Sequence, residues 1–138
     1  MQYFLDTNII LYAYSTDPTE LAKRGIARSI LTRSNWCISA QVLQEFYSNA
    51  TKPKRGTAPL MSHANAQTTV LGLAHYTSVA LDAALVQQAI SLRESHQISY
   101  WDAAIVAAAI RSGAEELVTE DLNAGQAIEG IRVVNPFA

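Results

Sequence analysis

The sequence predicts an α/β domain built on a parallel central sheet of about five short strands flanked by helices. Three observations carry this. Short segments of strand length, centred on apolar residues, recur at residues 3–5, 36–38, 78–80, 115–119 and 131–134. Segments with helical apolar spacing separate them, and strands that alternate with helices imply parallel pairing. The chain has 138 residues and is 49% hydrophobic, which makes one domain over residues 1–138 with enough apolar mass for a core.

The first strand, Tyr3, Phe4 and Leu5, runs directly into Asp6, Thr7 and Asn8. Ile9, Ile10, Leu11, Tyr12 and Tyr14 then resume a helical pattern. A carboxylate therefore stands where a buried strand gives way to a helix. Asp17-Pro18 starts a second helix, since proline suits a first helical turn. That helix runs to about Leu31, with Leu21, Ala22, Ile26, Ala27, Ile30 and Leu31 on one face. Trp36, Cys37 and Ile38 form the second strand, and Ser39 caps a helix whose apolar side holds Val42, Leu43, Phe46 and Tyr47. Glu45 lies beside that stripe.

Residues 51–59 form a loop, marked by Pro53, Gly56 and Pro59 and carrying Lys52, Lys54 and Arg55. Helical spacing returns within residues 60–75 through Val70, Leu71 and Leu73. After the third strand, Asp82 caps a helix through Ala83, Leu85, Val86, Ala89, Ile90 and Leu92. An alanine-rich helix from Ser99 to about Arg111 ends at Gly113, a residue suited to a helix C-terminus. Two further strands follow, and Pro136 stops the last.

Charge excludes one class of function. The formal net charge is −2 and the pI near 5.9, so the chain does not coat nucleic acid by bulk electrostatics, though a local basic patch remains compatible. Cys37 is the only cysteine, which rules out an internal disulfide and fits a buried, reduced side chain. No leader and no membrane-length apolar run is evident, and a cytoplasmic protein is expected.

Asp6, Glu45, Asp102 and Asp121 recur at equivalent places in this plan: after a strand, or in a helix next to one. Elements leaving a parallel sheet at its carboxyl edge bring such residues into one crevice. Carboxylates that meet there repel, and a divalent cation with a preference for hard oxygen ligands, Mg²⁺ or Mn²⁺, relieves the repulsion. His63, His75 and His96 are scattered and read as surface or packing residues, which argues against zinc. Each acid also has a plainer reading. Asp6 or Asn8 suits a helix cap, Ser99 with Asp102 fits a capping box, Asp121 a turn, and Glu45 a solvated helix flank.

Four blocks tie these acids to a known family: Phe4-Leu5-Asp6-Thr7-Asn8, the Ser39-to-Glu45 segment ending in Glu-Phe, Tyr100-Trp101-Asp102-Ala103-Ala104-Ile105, and Leu117-Val118-Thr119-Glu120-Asp121-Leu122. Through them the chain resembles the PIN-domain ribonucleases, and among these the VapC-type toxins of bacterial toxin–antitoxin pairs. The resemblance implies a Rossmann-like sheet, a Mg²⁺ or Mn²⁺ site, endonucleolytic cleavage of RNA, and a homodimer held inactive by a small antitoxin. It implies that Asp6 and Asp102 are the principal metal ligands and that Glu45 and Asp121 complete the catalytic, metal-binding acidic cluster. Thr7, Asn8 and Thr119 then orient those groups or bind phosphate. Glu120 and Asp121 are adjacent and cannot easily point the same way; the family pattern selects Asp121. Cleavage by metal-activated water leaves a 5′-phosphate and a 3′-hydroxyl.

Lys52, Lys54 and Arg55 are candidates for RNA backbone contacts, with a solvated loop as the alternative. Tyr12, Tyr14 and Trp101 offer stacking surfaces, although core or dimer contacts suit them better. Two other functions compete. One is a non-catalytic PIN-like module that binds RNA or a partner. The other is a metal-dependent phosphatase of small molecules, which Asn8 disfavours because a second aspartate is missing two residues after Asp6.

Overall fold

The computed structural model describes residues 2–54 and 56–138. Its strands are β1 (Tyr3–Leu5), β2 (Trp36–Ser39), β3 (Thr77–Val79), β4 (Glu116–Val118), β5 (Ala127–Ile128) and β6 (Ile131–Val134). Its helices are α1 (Thr7–Ala13), α2 (Leu21–Leu31), α3 (Ala40–Thr51), α4 (His63–Leu73), α5 (Ala83–His96) and α6 (Tyr100–Ser112). A 3₁₀ turn at Pro18–Glu20 leads into α2, so Asp17-Pro18 opens that turn and the α-helix proper begins at Leu21.

The sheet order is β3-β2-β1-β4-β6-β5. All pairs are parallel except β5 with β6. The chain starts in the middle, builds β2 and β3 to one side, then returns to place β4 on the other side of β1. The gap between β1 and β4, where the winding direction changes, is where a sheet of this kind opens a crevice at its carboxyl edge.

The two-residue strand β5 is absent from the sequence reading. It folds back on β6 through Glu129 and Gly130, both at positive φ (50° and 86°). Such a turn matches the twist of a hairpin. Glutamate rarely adopts that conformation, so the sequence carried no turn signal there.

Local chemistry sets the helix ends. Asp6, Ser39, Asp82 and Ser99 each accept a hydrogen bond from a backbone N–H in the first turn of the helix that follows. Gly113 closes α6 in the left-handed conformation. Seven consecutive residues of α6, from Ala103 to Ala109, are buried, because the helix lies against β2, β3, β4 and α5. Alanines make it narrow enough to fit.

Trp36, Phe4, Phe46, Ile9, Ile38 and Leu117 fill the core around it, and Cys37 is buried among them as a free thiol. On α2 only Ala27 and Ile30 are fully buried, whereas Leu21 and Ile26 are exposed. The expected broad apolar face is a narrow strip there. A cleft of about 490 Å³ separates α2 from Tyr3, Val118 and Val134 and leaves Ile26 uncovered. No helix among the described residues is long and apolar enough to cross a membrane.

Candidate active site

Asp6 leaves β1 at the gap beside β4, and its N–H donates to the Val118 carbonyl at 3.0 Å, tying the two strands together at their ends. Its carboxylate is buried and held twice. Oδ1 accepts from the Thr7 N–H at 2.7 Å, and Oδ2 accepts from the Thr119 hydroxyl at 2.7 Å. Burial pushes the carboxyl up from 3.8 to about 7; the hydrogen bonds from Thr119 and Thr7 oppose the rise, and the neighbouring charges of Asp121 and Glu45 add to it.

Thr119 is the junction of the site. It follows β4, donates to Asp6, and accepts from Asn8 Nδ2 at 3.3 Å and from the Asp121 N–H at 3.1 Å. The Asp121 side chain faces the crevice from this turn. Glu120 turns away and is bound to Lys23 and Tyr12 instead.

Glu45 reaches the site from α3, where its Oε1 accepts from the Thr7 hydroxyl at 2.7 Å. One threonine thus holds two carboxylates, Asp6 through its N–H and Glu45 through its hydroxyl. Asp102 enters from the first turn of α6, where its N–H donates to Ser99 Oγ at 3.1 Å. Burial raises the Asp102 carboxyl above its ordinary value; the Ser99 hydroxyl opposes this and Asp121 adds to it.

A crevice of about 270 Å³ is lined by Asp6, Glu45, Asp102 and Asp121 together with Thr7, Asn8, Leu11, Asn49, Trp101 and Ile105. The four acids come from positions spread over most of the chain and meet there. The crevice offers carboxylate, amide and hydroxyl oxygens, and no histidine or cysteine. That donor set fits Mg²⁺ or Mn²⁺.

Among the described residues, no three acids, histidines or cysteines stand close enough to enclose an ion unaided. Mg²⁺ tolerates such openness, since it is commonly held by one or two carboxylates with waters and substrate phosphate completing its shell. A second feature fits the same picture. Asn8 Oδ1 is buried with no hydrogen-bond partner, a free acceptor beside the acids.

The sequence reading missed two polar groups near the acids, Gln41 beside the crevice and Asn49 in its lining. Gln41 bridges, its Nε2 lying 3.5 Å from both Glu45 Oε2 and the Trp101 carbonyl. Asn49 lines the crevice one turn beyond Glu45. Both stand four residues from Glu45 on the same helix face, so the spacing rule for helices would have found them. Trp101, read from the sequence as a candidate stacking surface, lines the crevice wall. It is 66% exposed at the rim, which removes the core half of the expectation of a core or dimer contact.

Tyr12 is half-buried and engaged with Glu120, and Tyr14 packs edge-on against Phe46. A second cavity of about 200 Å³ shares Asn8, Leu11 and Asn49 with the acidic crevice and extends to Lys54. Lys52 is exposed outside both, and Arg55 lies outside the described residues. None of the three histidines lines the crevice: His63 pairs with Tyr47, His96 with Glu129, and His75 is exposed.

Residues 3–127 match the family model of the PIN domain. No curated protein sequence matches the chain. Among solved structures, a toxin–antitoxin complex from Klebsiella pneumoniae superimposes with a TM-score of 0.71 at 22% identity, with 98% of each chain covered. FitAcB from Neisseria gonorrhoeae gives 0.68 at 21% identity over 99% of each chain. VapC20 of Mycobacterium tuberculosis, a sarcin–ricin-loop-cleaving toxin, gives 0.61 at 20% identity over 84% of this chain and 87% of that one. At these identities the likeness is one of fold.

Proposed function

The chain belongs to the PIN domain family, and from that premise we propose that it is a metal-dependent endoribonuclease, the toxin of a toxin–antitoxin pair. The observation that carries the reading is the convergence of Asp6, Glu45, Asp102 and Asp121 on one crevice at the switch point of the sheet. Asp6 and Asp102 would hold Mg²⁺ or Mn²⁺ with Glu45 and Asp121 completing the acidic set, and the bound ion would neutralise the phosphodiester and lower the pKa of an attacking water.

The chain's own residues prepare the site. Thr7 and Thr119 fix the Asp6 carboxylate on both oxygens, so little reorganisation is needed when the site fills. Thr7 locks Glu45 against α1, where it can accept a proton from a water in the crevice. Asn8 Oδ1, without a partner, is available to a water or to a ribose hydroxyl. Lys54, at the far end of the adjoining cavity, would contact the RNA backbone beyond the scissile bond. Water as the nucleophile predicts 5′-phosphate and 3′-hydroxyl ends.

An antitoxin partner is supported by the neighbours of like fold, which include toxin–antitoxin complexes. Exposed Leu71 on α4 and Ile90 on α5 supply apolar area for a homodimer. The test compares cleavage of RNA with hydrolysis of a small phosphomonoester, with and without Mg²⁺. The proposal expects Mg²⁺-dependent RNA cutting only. Phosphomonoester turnover would move the reading to a phosphatase, and RNA binding without cleavage to a non-catalytic module.

A further inference from the structure

Beside the crevice, but outside it, four side chains from four parts of the fold meet. Glu120 follows β4, Tyr12 lies on α1, Lys23 on α2, and Phe137 beyond β6. The Glu120 carboxylate accepts from the Tyr12 hydroxyl on one oxygen and from Lys23 Nζ at 2.9 Å on the other. Lys23 Nζ also lies 3.3 Å from the Tyr12 hydroxyl oxygen and 4.8 Å and 5.5 Å from the ring centroids of Tyr12 and Phe137. The two rings pack edge to face at 5.1 Å. Charge-assisted bonds on both carboxylate oxygens, with the ammonium against two aromatic rings, make a firm anchor. Nothing in the proposed reaction uses this cluster.

Its position gives it a role. Residues 119–121 leave β4 with one hook on each side. Thr119 is hooked inward to Asp6, and Glu120 outward to Tyr12 and Lys23. In this bend the two adjacent acids point apart: Glu120 is held outward by Tyr12 and Lys23, while Asp121 faces the crevice. We propose that Glu120 is a positioning residue: with Tyr12, Lys23 and Phe137 it clamps the turn after β4 so that Asp121 faces the acidic crevice. This rests on the reading of the crevice as a cation-dependent nuclease site. The clamp also starts on α1, the helix that carries Thr7 and Asn8, so the anchor and the site share a rigid element.

The test measures Mn²⁺ affinity by titration, alongside RNA cleavage and thermal unfolding, for Glu120→Ala, Tyr12→Phe and Glu120→Gln. Glu120→Ala should weaken Mn²⁺ binding roughly tenfold, as loss of groups that orient ligands commonly does. Tyr12→Phe should show a smaller loss in the same direction. Glu120→Gln keeps an acceptor oxygen and should recover most of the affinity. In an Asp121→Asn background Glu120→Ala should cost nothing further, because its effect passes through Asp121.

A fall in unfolding temperature with unchanged Mn²⁺ affinity overturns the inference, as does an equal Glu120→Ala penalty with and without Asp121. If Glu120→Ala fails to fold, Tyr12→Phe decides the matter by the same criteria. A wild type that neither binds Mn²⁺ nor cuts RNA overturns the nuclease reading and this inference together. A wild type that does both, with variants that bind Mn²⁺ as tightly, overturns the inference alone.

Discussion

Replacing Asp6 by asparagine should make the metal-free protein more stable at neutral pH while abolishing its activity. The folded carboxyl sits near pH 7 instead of its ordinary 3.8, a rise of about three units. At roughly 1.4 kcal/mol per unit, ionising Asp6 in the folded state costs about 4 kcal/mol.

The sign follows from proton counts. Below the unfolded value both states hold the proton and the group is neutral in its effect. Between that value and about 7 the unfolded chain ionises first, so stability falls as pH rises, and the full penalty is present above 7. Asparagine removes the penalty. It keeps the cap, since its oxygen can still accept from the Thr7 N–H. It loses the second acceptor, towards Thr119, at about 1 kcal/mol. The net gain is about 3 kcal/mol at pH 8, or roughly 10 °C in unfolding temperature for a domain of this size.

The assay is thermal unfolding of chelator-treated wild type and Asp6→Asn from pH 4 to pH 8. Mn²⁺ at tenfold over its dissociation constant should then return about 1.4 kcal/mol to the wild type and nothing to the variant. Equal stabilities at pH 8, or an advantage for asparagine that is largest at pH 4, would refute the account of a strained, buried carboxylate.

Three more outcomes follow from the same geometry. Asp102→Asn should lose RNA cleavage while its metal-free unfolding temperature stays level or rises, because a charge facing Asp121 is removed and the Ser99 cap, which uses the backbone N–H, is kept; a destabilised variant would mean that the side chain serves the helix end alone. Lys54→Ala should weaken RNA binding uniformly across sequences and lower the salt slope of log K by about one, whereas Lys52→Ala, outside the cavity, should do less. Trp101→Ala should reduce affinity for a non-cleavable RNA by about 1–3 kcal/mol if a base stacks on the exposed ring. Wild-type fluorescence should change on binding, since the other tryptophan, Trp36, is buried against Tyr76; unchanged affinity and fluorescence would exclude stacking.

What could be read from the sequence was local. The caps at Ser39, Asp82 and Ser99 and the stop at Gly113 are decided within a few residues, and they stand where the pattern put them. The strands that precede Asp6 and Asp121 were equally legible, because buried strands read as short apolar runs. The convergence of the four acids was expected, but the individual contacts between remote segments were not legible. Glu45 is held near Asp6 by the Thr7 hydroxyl, which bridges α1 and α3 across 38 residues of sequence. Leu71 and Ile90 fit an apolar period yet are exposed, because a period marks a face without saying whether anything covers it. Glu120 and Asp121 are chemically alike in sequence; the partners Tyr12 and Lys23, which separate their orientations, lie on other helices.

Capping and ion binding looked like competing accounts of the same acids, and the geometry removes the competition at both helix starts. Asp6 accepts from a helix N–H on one oxygen and from the Thr119 hydroxyl on the other, and a carboxylate so engaged retains acceptor capacity while it lines the crevice. At α6 the capping box is half made: Ser99 accepts from the Asp102 N–H, and the Asp102 carboxylate remains at the crevice wall. The cap fixes the backbone that carries each carboxylate, and so fixes the carboxylate. A buried acid is costly to fold around. At a helix start the backbone N–H groups already need acceptors and favour negative charge, which offsets part of that cost.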